Sequence, residues 1–218
     1  MTLFRLDASI LPATSASREL GDLVEAEWVA AHPDSTVLRR DLSADPVPAT
    51  AWRDAVQGGF TPEADRTDEQ RAALALAQTF ADELRAAEAL LFTVPLYNYG
   101  VSQHFKTWFD LTYTVPGVDP QGTDLRGKPA TLVTVLGGNY AEGTPKEGWD
   151  HSTAWLRRVL EDVWGLDLRV VHRPFTLVGV NPALDAFAEP AAELKRTAEA
   201  AAVQSGRELA ERRSDRVA

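Results

Sequence analysis

The sequence predicts a doubly wound α/β fold, in which a five-stranded parallel sheet carries helices on both faces. Short apolar segments alternate with longer segments of helical periodicity along the whole chain of 218 residues. The connections between successive apolar segments are long enough to hold a helix, as parallel strands require. A chain of this length is typical of one domain, so we expect residues 1–218 to form a single one.

The first part of the chain alternates strand, helix and strand. Residues 2–7 form a short apolar strand, followed by a loop of small and hydroxyl side chains. Apolar residues at helical spacing predict a helix over residues 17–31, with Ser17 as its N-cap. The more polar segment 36–42 is predicted as a strand nearer the edge of the sheet.

The segment 43–66 is a long excursion rich in Pro, Ala, Asp and Gly, with room for one short helix. Its only large apolar residues are Trp52 and Phe60. Two interpretations stay open: a functional or interface element, or a surface insertion anchored by these two aromatics. The Thr-Asp-Glu-Gln sequence that follows is a capping box, which predicts a helix over residues 67–87.

The middle of the chain contains the most apolar strand, residues 89–94, which its composition places at the centre of the sheet. Pro95 ends this strand because proline has no N–H to donate. Apolar and aromatic residues at helical spacing predict a helix over residues 101–113, and Gly and Pro predict a loop over residues 114–128. Residues 129–136 form another buried strand.

The last part of the chain contains one strand and two helices. A helix is predicted over residues 150–164, ending at Gly165, and residues 166–178 form the last strand. An alanine-rich helical region then follows Asn181-Pro182 and runs to about Arg213. Its predicted inner face consists of Leu184, Phe187, Leu194, Ala198 and Ala201. Five strands in a chain of this length favour the flavodoxin-like strand order, 2-1-3-4-5.

Composition excludes several classes of protein. A formal net charge of -10 argues against a nucleic-acid or anionic-membrane partner. The absence of cysteine excludes disulfides, a thiol nucleophile and a Cys-ligated metal, and fits a reducing compartment. No apolar run reaches transmembrane length, and the N-terminus is too short and too charged for a signal peptide. We therefore expect a soluble cytoplasmic protein.

Further motifs are missing as well. Ser9 lies in no G-x-S-x-G elbow, which argues against a hydrolase. The loop after the first strand lacks GxxxxGK[ST], the signature of a nucleoside-triphosphate loop, and GxGxxG, the signature of a dinucleotide-binding fold. The histidines show no metal-ligand spacing, so no metal site is expected. They are His32, His104, His151 and His172.

Three loops nevertheless follow predicted strands at their carboxyl ends, where open parallel sheets bind ligands. The first carries hydroxyls ahead of a helix N-terminus, a combination that suits a phosphate monoester. These hydroxyls belong to Ser9, Thr14, Ser15 and Ser17. In the second loop, Tyr97 and Tyr99 can flank a planar ring while Asn98 bonds its heteroatoms. In the third, Gly137 and Gly138 allow the backbone to approach the polar edge of that ring.

The joint order of these loops resembles the FMN-dependent NADH:azoreductase family, part of the flavodoxin-like quinone reductases. The similarity also covers residues 105–110 and 124–128 and spans nearly the whole chain. It implies that one group of residues holds the FMN phosphate: Ser9, Ser15, Ala16 and Ser17. A second group lies along the isoalloxazine: Pro95, Leu96, Tyr97, Asn98 and Tyr99. A third lies at its pyrimidine end: Gly137, Gly138 and Asn139.

The resemblance also implies an activity. The expected enzyme passes a hydride from NADH or NADPH through FMN to a quinone, an azo compound or a related electron-poor acceptor, in two steps through one site. Tyr140, as donor to a substrate oxygen, and His151 are the catalytic candidates. The family implies a homodimer, for which Trp52, Trp149 and Trp155 are the interface candidates.

The chain also departs from the family pattern. Azoreductases often carry Ser-Arg-Gly-Gly where this chain has Val135-Leu136-Gly137-Gly138, so a hydroxyl and a positive charge are lost near the flavin edge. Two other classes therefore stay open: a flavodoxin-type electron shuttle, and a tailoring or non-redox protein on the same fold. The excursion 43–66 and the Trp-rich helix 150–164 could form walls around a flavin. Such walls favour an enzyme, because a shuttle exposes the rim of its flavin to a protein partner.

Overall fold

The computed structural model describes residues 1–11 and 15–212, with a parallel sheet at its centre. In chain order the strands are β1 (Thr2–Asp7), β2 (Thr36–Asp41), β3 (Ala89–Thr93), β4 (Leu96–Tyr97), β5 (Gly100–Val101), β6 (Pro129–Val135) and β7 (Asp167–Arg173). The five longer strands pair in parallel in the order β2-β1-β3-β6-β7, while β4 and β5 form a separate antiparallel hairpin. This confirms the predicted order 2-1-3-4-5, the central position of β3 and the edge position of β2.

The helices also follow the predicted sequence of elements. They are α1 (Ala16–Ala31), α2 (Ala51–Phe60), α3 (Asp68–Ala86), α4 (Gln103–Thr112), α5 (Thr153–Arg157) and α6 (Ala188–Glu211). Short 3-10 helices lie at Glu63–Asp65 and Pro182–Phe187, and α5 continues as a π-helical segment, Arg158–Val163. The predicted capping box is present at the start of α3, where Thr67 and Gln70 bond reciprocally.

Each face of the sheet has its own hydrophobic core. Because successive side chains of a strand point to opposite faces, Leu3 and Leu91 pack with α1 and α6, whereas Phe4 and Phe92 pack with Trp108 of α4. The rings of Phe4 and Trp108 are stacked at 6.3 Å. Helices on both faces confirm the doubly wound architecture.

The register places the carboxyl ends of the central strands side by side. Asp7 at the end of β1 is opposite Thr93 at the end of β3, and Thr93 is opposite Val133 of β6. The loops that follow these three strands therefore emerge at one edge of the sheet. No helix in the described part of the chain is long and apolar enough to cross a membrane.

The start of α1 corrects one prediction. The N-cap is Ser15, whose extended backbone leaves its side chain to accept from the N–H of Arg18, so the assignment of Ser17 as N-cap was wrong. Ser17 lies inside the first turn with its hydroxyl 3.0 Å from that of Ser15. Two serines in alternate positions compete for the cap, and the backbone conformation decides between them. Thr14 lies outside the described residues.

The segment 43–66 contains α2, but its aromatics do not anchor it. Phe60 is 89% exposed and Trp52 is 50% exposed, so the anchored-insertion interpretation was wrong. The helix is held by its small residues Ala51, Ala55 and Gly58, which are buried. Small side chains allow the close approach to α3 that larger ones would prevent: a Cβ on Gly58 would lie 3.0 Å from Leu74.

The last strand ends earlier than predicted, and part of the predicted inner face of the C-terminal helical region was wrong. β7 ends at Arg173, and the apolar residues after it fold over the end of β6 instead of extending the sheet. Of the residues predicted to form the inner face of the C-terminal helical region, Ala198 is buried, Leu184 and Leu194 are half-buried, and Phe187 and Ala201 are exposed, so the last two were wrong. Leu184 and Phe187 lie in the 3-10 helix that precedes α6. The buried face lies toward the C-terminal half because only that half packs closely on α1; a Cβ on Gly206 would lie 2.6 Å from the carbonyl oxygen of Val24. The predicted end near Arg213 lies outside the described residues.

Candidate cofactor site

A cavity of about 480 Å³ opens at the carboxyl edge of the sheet. Its walls come from the loops after β1, β3 and β6 and from the segment after β7, and its volume is in the range of small-molecule sites. The predicted residues that line it are Ser9, Ser15, Ala16, Pro95, Leu96, Tyr97, Asn98, Tyr99, Gly137, Gly138 and Tyr140. The three loops singled out in the sequence therefore meet around one space.

Three predicted site residues are not among the lining residues. Ser17 is fully buried beneath Ser15. The side chain of Asn139 accepts a hydrogen bond from the N–H of Ala141 at 3.1 Å. The side chain of His151 is exposed, and its backbone N–H donates to the carbonyl of Tyr99 at 3.0 Å. The binding or catalytic roles of Ser17, Asn139 and His151 stay predictions.

One end of the cavity, the serine end, consists of Ser9, Ser15 and Ala16. Ser15 and Ala16 form the start of α1, where the first N–H groups have no partner within the helix and the helix dipole is positive. The hydroxyl of Ser9 lies 3.1 Å from that of Tyr97, which also accepts from the N–H of Ile10. The serine end thus offers hydroxyls and backbone donors, a set suited to a phosphate group.

The only cation of the first turn of α1 is turned away from the cavity. The guanidinium of Arg18 bonds both carboxylate oxygens of Asp41, at 2.8 and 2.7 Å, and lies 3.6 Å from Asp7. The hydrogen bond to Asp41 raises the pKa of Arg18. Burial acts to raise the pKa of Asp41, but hydrogen bonds from Arg18 and Ser43 outweigh it and hold that pKa well below its ordinary 3.8.

A buried ion-pair network lies behind the serine end. Asp7 accepts from Arg5 at 3.1 Å and from the hydroxyl of Thr93 at 2.7 Å. Arg5 also donates to Asp22 at 2.6 Å and to Glu25 at 3.0 Å. Burial acts to lower the pKa of Arg5, but these carboxylates outweigh it and raise the pKa. The network ties β1, β3 and α1 together.

The middle wall is a β-hairpin that the sequence did not reveal. Leu96 pairs with Val101 and Tyr97 with Gly100, and the two loop residues, Asn98 and Tyr99, both have positive φ, 48° and 67°. Two such residues in succession are typical of the type I′ hairpin turn. Asn tolerates this conformation, but a tyrosine there is strained, and such strain is concentrated at functional sites.

The other end of the cavity, the loop end, consists of Gly138, Tyr140 and Lys146. A Cβ on Gly138 would meet the side chains of Tyr140 and Lys146 at an ordinary contact distance of 3.6 Å. Gly137 differs, because a Cβ there would lie 2.7 Å from Leu177. Gly137 therefore lets the side chain of Leu177 pack closely on the loop, a structural role that the sequence did not show.

Tyr140 is half-buried at the mouth of the cavity. Burial, together with Tyr99 and Asp150, raises the pKa of its phenol above the usual 10. The phenol therefore keeps its proton at neutral pH and can act as a hydrogen-bond donor.

Sequence reasoning missed several lining residues. They are Leu11, Val135, Lys146, Thr176, Leu177 and Val180. Thr176, Leu177 and Val180 were assigned to the last strand or the connection after it, and Lys146 lies in a loop without a recognisable pattern. Only the proximity of Lys146 to the Gly137-Gly138 loop in sequence could have drawn attention to it.

The strand order and the cavity at the strand ends define a flavodoxin-like protein. A family model described as "Flavodoxin-like fold" matches residues 1–201. The azoreductase AzrA superposes with a TM-score of 0.79 at 22% identity, covering 95% of this chain and all of its own. An azoreductase from Bacillus anthracis gives a TM-score of 0.77 at 21% identity, covering 95% and 99%. At these identities the two structures support the fold alone.

Sequence relatives narrow the assignment. A protein of Frankia alni is 39% identical over 190 residues, covering 86% of this chain and 90% of its own, and one of Streptomyces avermitilis is 35% identical over 213 residues, covering 97% and 98%. Both are named FMN-dependent NADH:quinone oxidoreductase. The chain belongs to this family of flavodoxin-like quinone oxidoreductases, which confirms the resemblance found in the sequence.

Proposed function

We propose that this protein is an FMN-dependent oxidoreductase that passes a hydride from NADH or NADPH to a quinone, an azo compound or a related electron-poor acceptor. The observation that carries the proposal is the meeting of three strand-end loops in one cavity, with hydroxyls and a helix N-terminus at one end and flat aromatic and glycine surfaces at the other. The names of the relatives support it.

The residues present fit FMN. Ser9, Ser15 and the start of α1 supply neutral donors for a phosphate monoester. Two strand spacings separate the β1 loop from the β6 loop, which is about 10 Å, so a ligand that reaches both must be elongated. The lining is mostly apolar between these ends, as a planar ring system requires.

Bound FMN would supply hydride chemistry at its N5 atom. The chain itself has three tasks. Ser15 and Ala16 hold the phosphate, Tyr97 and Asn98 set the position of the ring, and the phenol of Tyr140 donates a hydrogen bond to an oxygen of the acceptor. The hairpin and the segment after β7 exclude part of the solvent from the cavity.

The visible spectrum tests the cofactor and the activity together. We expect the purified protein to be yellow or to become so with added FMN, to bleach when NADH or NADPH is added without oxygen, and to regain its colour when a quinone follows. A protein that takes up no FMN from an excess of the free cofactor would contradict the proposal.

The electron-shuttle alternative makes a different prediction. A shuttle exposes the flavin rim to a protein partner and depends on a separate reductase, whereas this cavity has Tyr140, Lys146, Leu177 and Val180 around its mouth. Direct bleaching by NADH or NADPH in the absence of any reductase therefore excludes a shuttle. A tailoring or non-redox protein would fail to regain its colour with every quinone and azo acceptor tried.

The assembly is a further part of this proposal. Trp52, Val56 and Phe60 lie four residues apart on α2 and are all exposed, which suits an interface between two copies of the chain. Trp149 is 49% exposed beside the cavity. Trp155 is half-buried against Phe105 and Phe109, so the expectation that it is exposed was wrong.

Light scattering on the wild type and on a Phe60→Glu variant tests this homodimer. We expect twice the chain mass for the wild type and a weaker dimer for the variant, and a wild-type monomer at micromolar concentration would contradict the proposal. The cytoplasmic location that we also propose is supported by the cysteine-free composition and is tested by cell fractionation.

A further inference from the structure

Lys146 is the only ionised side chain among the described residues that line the cavity. The chain as a whole is strongly acidic, with a net charge of -10, so a cation in this cavity stands out from its surroundings. Lys146 lies on the loop after β6, eight residues beyond Gly138, and its side chain comes back to Gly138 at the cavity. Its Nζ is 3.6 Å from the position that a Cβ on Gly138 would take.

The four lysines of the chain differ in their partners. Lys106 and Lys195 pair with the carboxylates of Asp110 and Glu199, and Lys128 donates to backbone carbonyls. Lys146 instead lies over two rings, 5.7 Å from the centroid of Tyr99 and 5.6 Å from that of Tyr140. No carboxylate in the described part of the chain lies within 4.0 Å of its ammonium group, so its charge is not cancelled by an ion pair.

The two rings hold this charge at the loop end. Cation–π contacts stabilise an ammonium group without neutralising it. Tyr99 is kept in place by the left-handed backbone of the hairpin turn and by the ring of Trp149, edge-on at 5.4 Å. Lys146 as a residue is half-buried there, and an electrostatic interaction in such surroundings is stronger than in open water.

We propose that Lys146 is the electrostatic partner of reduced FMN and raises the reduction potential of the bound cofactor. The inference rests on the proposed function. Hydride transfer from the nicotinamide oxidises NADH to NAD⁺ and carries two electrons and one proton to the flavin, so the ring system gains one negative charge. A fixed cation at the loop end favours that charged state over the neutral oxidised one.

The reduction potential of bound FMN tests the inference directly. Lys146→Met removes the charge but keeps an unbranched side chain, Lys146→Arg restores it, and Lys195→Met removes a charge from exposed α6 as the control. We expect Lys146→Met to lower the affinity for reduced relative to oxidised FMN about tenfold, a shift of about 30 mV to more negative potential for two electrons. Lys146→Arg and Lys195→Met should stay near the wild-type potential.

The possible results separate the inference from the function on which it rests. An unchanged potential in FMN-loaded Lys146→Met overturns the role of Lys146 and leaves the proposed function intact. The same holds if the potential is unchanged while KM rises only for acceptors that carry a carboxylate, because the lysine would then bind the acceptor. A wild-type protein that binds no FMN overturns the proposed function itself. Urea unfolding of each variant shows that it is folded before its potential is compared.

Discussion

The serine end and the loop end of the cavity are built in different ways. Ser9 and Ser15 are at most 6% exposed; Ser9 lies two residues after β1 and Ser15 is the N-cap of α1, in front of the buried network around Arg5 and Asp7. The loop end lies on residues 138–149, which contain neither helix nor strand. The serine end is thus continuous with the core of the fold, while the loop end lies on a segment outside the helices and strands.

This difference has an energetic consequence. Removing one partner of a buried ion pair leaves a charge without compensation, so changes behind the serine end reach the stability of the whole fold. The contacts within the loop are local and near the surface, such as Gly143 N–H to Glu147 at 2.8 Å and Thr144 to Ala141 at 2.7 Å. Substitutions at the loop end should therefore cost little stability.

The largest effect is expected at Asp7. Asp7→Ala should lower the free energy of unfolding by about 3–5 kcal/mol, because Arg5 and Thr93 both lose their buried partner. Asp22→Ala is the matched control, since Asp22 bonds the same guanidinium but its side chain is 68% exposed; its loss should stay below about 1 kcal/mol. Urea denaturation measures both. Equal losses in the two variants would mean that burial of the network does not matter.

The acid dependence of stability should be weaker without Asp41. Its folded-state pKa is lowered, so the stability it contributes is present above the ordinary value of 3.8 and is lost as pH falls below that value. Asp41→Asn should cost about 1.5–3 kcal/mol at pH 7, the range of a hydrogen bond to a charged group.

Unfolding measured from pH 7 to pH 2 checks this prediction. The difference between Asp41→Asn and the wild type should shrink below pH 4. Tyr140→Phe at the loop end serves as the comparison and should follow the wild type across the range. If the stability difference between Asp41→Asn and the wild type were the same at every pH, the charge of Asp41 would not be its cause.

A loss of about tenfold in FMN affinity, or about 1.4 kcal/mol, is expected for Ser15→Ala. The variant also loses the N-cap of α1, which costs about 1 kcal/mol of stability. Thr67→Ala removes the cap of α3 far from the cavity and controls for that cost, so it should leave FMN affinity unchanged. Riboflavin, which has no phosphate, should bind Ser15→Ala as it binds the wild type. If Ser15→Ala weakened the binding of FMN and of riboflavin equally, Ser15 would not contact the phosphate.

Local sequence signals predicted the architecture well, since hydrophobic periodicity and the Thr67 capping box depend on neighbouring residues. They also placed three loops at one sheet edge. The hairpin was not predicted because its turn is Asn98-Tyr99 and not the typical Asn-Gly. The ring of Tyr99 contacts Trp149, fifty residues away, which no local pattern shows. The single-domain organisation stays a prediction.

The loop end shows the same limit. Compared with the Ser-Arg-Gly-Gly pattern of azoreductases, the sequence lacks a positive charge at Leu136. In the structure a cation, Lys146, ten residues further along the chain, lines the same cavity. That position follows from tertiary contacts with Tyr99 and Tyr140, which no local pattern encodes.

The smallest effect on stability is expected at Asn98, in the hairpin between the two ends of the cavity. Two substitutions there distinguish a role in the backbone conformation of the turn from a contact with the ligand. Asn98 has φ 48°, so Asn98→Ala should lower stability by about 1 kcal/mol, while Asn98→Gly should stay within about 0.5 kcal/mol of the wild type. Both variants lack the amide side chain. If that amide bonds the flavin, both should lose FMN affinity equally in fluorescence titrations despite their different stabilities. If affinity instead follows stability, with Asn98→Gly binding as the wild type does, Asn98 shapes the turn and the wall of the site is made by backbone alone.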